Sequence, residues 1–134
     1  MSVSWNSDFG SRQRLLLAYA DPVYASECGR YFRRLGWEVQ MVASGTEARQ
    51  LASEYQPNVV VLDAELLDES GWLTSAKIST ENPELGIILV TDQETEYTPH
   101  RLHMVGAADS VHRIDGAEAL AHAILGSQTL SYAI

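Results

Sequence analysis

Positive charge is what this sequence has least of. Lysine occurs once, at Lys77, and nine lysines and arginines face eighteen aspartates and glutamates, giving a net charge of -9 and an isoelectric point near 4.7. A nucleic-acid duplex would repel such a surface, so no direct nucleic-acid partner is expected. Cysteine also occurs once, at Cys28, which excludes an internal disulfide and fits a reducing, cytoplasmic setting. No apolar run reaches the ~18–20 residues of a membrane span. The opening MSVSWNSDFGSRQR has no apolar signal core, so no membrane partner or export route is expected. A glycine-rich phosphate loop after the first apolar run is missing, and so is a Gly-x-Ser-x-Gly elbow. Dinucleotide binding and serine-hydrolase chemistry lose their support with them. The expectation is a protein-binding module, not an enzyme.

What is present is a regular alternation. The 134 residues, 46% of them hydrophobic, suit one domain. Residues 1–13 read as a loose leader whose Val3, Trp5 and Phe9 could pack on something. RLLLAYADP gives an apolar run of strand length, stopped by Asp21-Pro22, and Pro22 can open a helix because the first turn has no use for its missing N–H. Ala25, Cys28, Phe32 and Leu35 then recur at helical spacing, with Arg30, Arg33 and Arg34 on other parts of that helix and Gly36 as its stop. EVQMV alternates like an edge strand. Ser44 and Glu47 have capping-box spacing before the stripe Ala48, Leu51, Ala52, Tyr55. NVVVL and GIILV are continuous apolar runs, as central parallel strands require. A less regular helix spans 72–80, a loop spans 92–99, and Pro99 opens a short helix. GAADSV is a weak fifth strand. The last helix puts Ala117, Leu120, Ala121, Ile124 and Leu125 on one face, and 126–134 is a tail of open role.

Strands alternating with helices imply a parallel sheet with right-handed crossovers. The predicted architecture is an α/β, flavodoxin-like three-layer sandwich over 14–125, with a five-stranded parallel sheet in the order 2-1-3-4-5 and five helices. Reactive groups of that fold lie at the carboxyl ends of the central strands. Asp63 ends the third strand, Thr91 the fourth, and His112-Arg113 the fifth; Tyr19, Ala20 and Asp21 follow the first.

At these residues the chain resembles the receiver domains of two-component response regulators, the CheY-like superfamily. RRLGWEV, VVVLD ending in Asp63, Gly71 eight residues on, IILVT ending in Thr91, and GAADSV carry the resemblance, in order and at the right spacing. The resemblance implies that Asp63 is the acceptor of a phosphoryl group from a histidine kinase, that Thr91 clasps a phosphate oxygen, and that Mg²⁺ and a lysine neutralise the transferring charge. The lysine's place, seven residues after Gly106, is taken by Arg113. A guanidinium keeps the charge but is not a compact ammonium. The acidic pair that would hold the metal falls on Tyr19 and Ala20. Asp21, Asp63 and Glu65, with Asp92, are the candidates for a rearranged oxygen site; the plainer reading leaves Glu65, Asp68 and Glu69 as solvated loop charges. Asp92 beside the phosphoryl position would repel it unless a cation intervenes. Asp63 itself has a structural alternative, as a helix cap or a partner of Arg113.

Two functions lead the expectations, with a small-molecule pocket at the strand ends, sensitive to substitution of Thr91 or Arg113, as a third class. The first is an atypical pseudo-receiver in a two-component phosphorelay, working through protein–protein contacts with little Mg²⁺-dependent phosphorylation. The second is a working phosphoacceptor at Asp63 with a rearranged metal site. The resemblance also implies partners: a histidine kinase, a phosphotransfer or downstream signalling protein, or a second copy through the fourth helix, fifth strand and fifth helix, where Leu130, Tyr132 and Ile134 could add contact. Output is expected through another chain. His100 and His103, one helical turn apart, with His112 as a distant third, are a weaker metal candidate against the reading as exposed helix residues. Cys28 is expected to be buried and inert, and Trp37 and Trp72 to serve packing.

Overall fold

Apolar runs that can bury both faces build the centre of the molecule. The structure, a computed structural model, describes residues 13–92 and 99–132, with side chains through Ser127. The leader's Val3, Trp5 and Phe9, most of the 92–99 loop, and the side chains of Leu130, Tyr132 and Ile134 lie outside the described residues. The elements run β1 (Arg14–Ala18), α1 (Pro22–Arg34), β2 (Glu38–Val42), α2 (Gly45–Glu54), β3 (Val59–Asp63), α3 (Gly71–Glu81), β4 (Gly86–Thr91), α4 (Pro99–Met104), β5 (Asp109–His112), a 3-10 turn (Arg113–Asp115) and α5 (Gly116–Tyr132).

The strands form one parallel sheet in the order β2-β1-β3-β4-β5. Alternation along each strand sorts the side chains into two cores. Leu15, Leu17, Val59, Val61, Ile88 and Val90 pack with residues of α1 and α5, such as Phe32, Leu120 and Ile124. Leu16, Ala18, Val60, Leu62, Ile87 and Leu89 pack with Ala48, Ala52, Ile78 and Leu102 of α2, α3 and α4. Burying each large aliphatic side chain stabilises the fold by about 1.5–3 kcal/mol. The frame therefore holds firmly while the loops at the strand ends are free to differ.

Local signals act as their residue types require. Asp21 caps α1, accepting from the Val23 amide at 2.9 Å, and Pro22 opens the helix. Gly36 takes φ +94 and its amide returns to the Arg33 carbonyl. The Ser44 hydroxyl accepts from the Glu47 amide at 3.1 Å, and the Glu47 carboxylate answers by accepting from that hydroxyl at 3.0 Å.

Three expectations need correction. Leu35 shares the spacing of Ala25, Cys28 and Phe32 but caps the helix and turns outward, because the chain unwinds there toward Gly36. Leu125 is likewise exposed, while Leu120, Ala121 and Ile124 are buried. The last helix does not stop at 125; it continues to Tyr132, with Gly126 and Ser127 inside it and no proline to end it. Cys28 is buried, and burial pushes its thiol up to about 11, which leaves no reactive thiolate at neutral pH. Trp37 is buried edge-on to Phe32, and Trp72, partly exposed under the guanidinium of Arg101, packs against the second core.

Candidate functional site

Register brings the strand ends together. Leu62 pairs with Ala18, Asp63 with Val90, and Thr91 with His112, so β1, β3, β4 and β5 finish along one edge. Asp63 continues the parity of Val59 and Val61 and is 5% exposed, and Thr91 is also buried. Asp63 Oδ1 accepts from the Glu65 amide at 3.0 Å. Burial raises the Asp63 carboxyl above its ordinary range; the Glu65 amide, Arg113 and the Ala20 amide pull it back, and Asp92 pushes it up again.

Gly71 closes the loop for a steric reason. A Cβ at Gly71 would collide with the carbonyl of Asp63 and press on Cα of Ala64, while the Gly71 amide donates to the Ala64 carbonyl at 2.9 Å. Only a residue without a side chain lets α3 start directly against the end of β3. Ser70 caps α3 by accepting from the Leu73 amide, so Asp63 does not serve as that cap.

Arg113 leaves the 3-10 turn after β5 and bridges two carboxylates. One terminal nitrogen donates to Asp21 Oδ2 at 2.9 Å and the other to Asp92 Oδ2 at 3.1 Å. Its guanidinium carbon also lies 6.0 Å from the centre of the Tyr24 ring. The repulsion that Asp92 would bring to the site is met by this cation. Arg113 thus acts on Asp63 through the field, and its hydrogen bonds go to Asp21 and Asp92.

The metal candidates are dispersed. Tyr19 stands where an acidic residue would be; it is 2% exposed, belongs to the core beside α1, and sits edge-on to Tyr24 with ring centres 4.7 Å apart. Asp21 spends one carboxylate oxygen on the α1 cap and the other on Arg113. Glu65 is exposed, its backbone bridging to Ser70. His100 and His103 are exposed on α4. Among the described residues, no three His, Cys, Asp or Glu side chains come together in a way that could hold a metal ion.

Asp68 and Glu69 are not idle loop charges. Asp68 accepts from the amides of Gly45 and Thr46 and from the Thr46 hydroxyl, at 2.6, 3.1 and 2.7 Å, fastening the loop after β3 to the start of α2. The Thr46 hydroxyl and the two amides hold its carboxyl down at about 2. Glu69 pairs with Lys77 at 2.9 Å and accepts from Thr74, so the one lysine is committed to the flank of α3. Asp68 lies 23 residues from Gly45, and nothing local in the sequence announces the pairing. The open amides of a helix start are the only general hint.

Comparison with known proteins agrees with this geometry. Residues 15–125 match the family described as the response regulator receiver domain, and the chain belongs to that family. It is 33% identical over 85 residues to the probable transcriptional regulatory protein TcrX of Mycobacterium tuberculosis, covering 63% of this chain and 36% of that protein. It is 28% identical over 104 residues to the TorCAD operon transcriptional regulatory protein TorR of Escherichia coli K12, covering 78% and 39%. The aligned part spans less than two-fifths of these relatives' own length. Among solved structures, a signal receiver domain from Vibrio parahaemolyticus superposes with a TM-score of 0.81 at 21% identity, covering 91% of this chain and 94% of that one. A CheY-like receiver domain protein from Methanospirillum hungatei gives 0.75 at 19%, covering 89% and 98%. These likenesses establish the fold. The chain is a response regulator receiver domain of a two-component system. Among the described residues no helix is long and apolar enough to cross a membrane.

Proposed function

We propose that this receiver is an atypical one, a non-enzymatic signalling module that works through protein–protein contacts in the cytoplasm, with Mg²⁺-dependent phosphorylation of Asp63 strongly slowed. One observation carries the reading: the cation at the mouth of the site is the side chain of Arg113, already shared between Asp21 and Asp92. Phosphoryl transfer to a carboxylate depends almost wholly on positive charge gathered around the transferring group. Mg²⁺ takes oxygen ligands in near-octahedral array. With a buried phenol at Tyr19, a side chain without oxygen at Ala20, and both oxygens of Asp21 engaged, the donors present do not fit that ion. The partners proposed on family grounds are a histidine kinase, a phosphotransfer protein or a downstream regulator, with a second copy docking through α4, β5 and α5.

A working phosphoacceptor is the competing reading, favoured by the burial of Asp63 and Thr91 at adjoining strand ends. One experiment separates them. The protein is incubated with acetyl phosphate and Mg²⁺ and its mass followed, with Asp63→Ala as control. The atypical reading expects no stoichiometric phosphoryl adduct. One phosphoryl group per chain on the parent, absent from Asp63→Ala, would establish the competing reading.

A further inference from the structure

Between the first turns of α1 and the 3-10 turn after β5 lies a cavity of about 600 Å³ whose lining includes Val23, Tyr24, Glu27, Asp92, Arg113 and Ile114. Two features of its wall are unusual together. Ile114 is 92% exposed and Val23 65% exposed, so two large aliphatic side chains border the same cavity without cover. Apolar surface left open around a concavity gains from being buried by something else. The charge is also one-sided. Asp21, Glu27 and Asp92 line the cavity against the guanidinium of Arg113 and the imidazole of His112.

The bonding state of those charges selects the sign of a ligand. Both terminal nitrogens of Arg113 already hold carboxylates, so an anion would have to break an ion pair to bind. The carboxylate of Glu27, in contrast, has no side-chain hydrogen bond or ion pair among the described residues, although Glu27 lines the cavity. A cation entering here meets a carboxylate with no such partner to surrender, in a chain whose net charge is -9. We propose that this cavity binds a small organic cation with an apolar body, an alkylammonium or alkylguanidinium, its head drawn by Glu27 and its body covering Val23, Tyr24 and Ile114. The volume lies within the ~300–1,000 Å³ of small-molecule sites, which favours a free ligand. The binding needs neither Mg²⁺ nor a phosphoryl group, so it stands or falls apart from the function proposed above.

The test uses a matched set of probes, hexylammonium, hexanol and hexanoate, titrated into the ¹⁵N-labelled protein at low ionic strength. Hexylammonium is expected to saturate in the millimolar range, with amide shifts gathered at Val23, Tyr24, Glu27 and Ile114. Hexanol should bind more weakly and hexanoate not at all. Glu27→Gln and Ile114→Ser, both surface changes, should each weaken hexylammonium about fivefold, and added salt should weaken it in the parent but little in Glu27→Gln. Shifts scattered over the molecule, equal binding of hexanoate, or variants that bind like the parent would each overturn the assignment.

Discussion

Arg113 and Asp21 meet at 2.9 Å across the mouth of the site, although 92 residues separate them in the chain. The contact ties the turn after β5 to the N-cap of α1, and the second arm of Arg113 adds Asp92 after β4. Three loops at the strand ends are thereby joined through one side chain. Both pairs are partly exposed, so each contributes at most about 1 kcal/mol. Arg113→Met should lower the melting temperature only slightly but speed amide exchange at Val23, whose acceptor Asp21 would lose its anchor. Arg113→Lys should recover only part of that protection, since an ammonium does not span two carboxylates as a planar fork does. Exchange unchanged in Arg113→Met would show that the bridge does not hold the cap.

Gly71 gives a steric prediction. A methyl group there meets backbone atoms of Asp63 and Ala64, which cannot swing aside. Gly71→Ala should destabilise by about 1–3 kcal/mol, the usual range for overpacking. Gly126, inside α5, provides the opposite case, because a methyl group there would meet nothing within 4 Å. Gly126→Ala should stabilise by up to about 1 kcal/mol. Urea unfolding of the two variants beside the parent checks both signs.

Asp63 gives a pH prediction. Burial raises its folded-state pKa above the unfolded value, so the native state binds the proton more tightly. Stability is then greatest below the unfolded value near ~3.9 and falls as pH rises through the folded one. Asp63→Asn, which keeps an acceptor for the Glu65 amide, should melt above the parent at neutral pH. The margin should shrink as pH falls and vanish in acid. A variant that melts below the parent at neutral pH would refute this.

Asp68 titrates in the opposite sense. Bonds from Thr46 and Gly45 depress its pKa to about 2, so its support for the start of α2 is present above ~3.9 and is lost as pH falls through about 2. Asp68→Ala should raise amide exchange at Gly45 and Thr46 at neutral pH while leaving β1 and β3 unaffected, as native-state hydrogen exchange can report.

The strands, their order and the position of Asp63 were legible in the chain because they follow from apolar periodicity and from glycine and proline at the breaks. Pro22, Gly36 and Ser44 act locally, within a few residues of themselves. Leu35, Leu125 and the end of α5 were less legible, since helical spacing says which residues share a stripe but not where a neighbouring element stops covering it. Asp68 on α2 and Lys77 on Glu69 were hidden for another reason: loop carboxylates look alike in a sequence whether solvated or bonded.

The sequence by itself determined the frame, a parallel sheet whose third strand ends in a carboxylate, because burial of alternating or continuous apolar residues leaves few ways to stack them. Only the tertiary structure decided where the scarce positive charge goes. An arginine's partners are chosen by distances between loops that the sheet brings together, and here that choice gave Arg113 to Asp21 and Asp92.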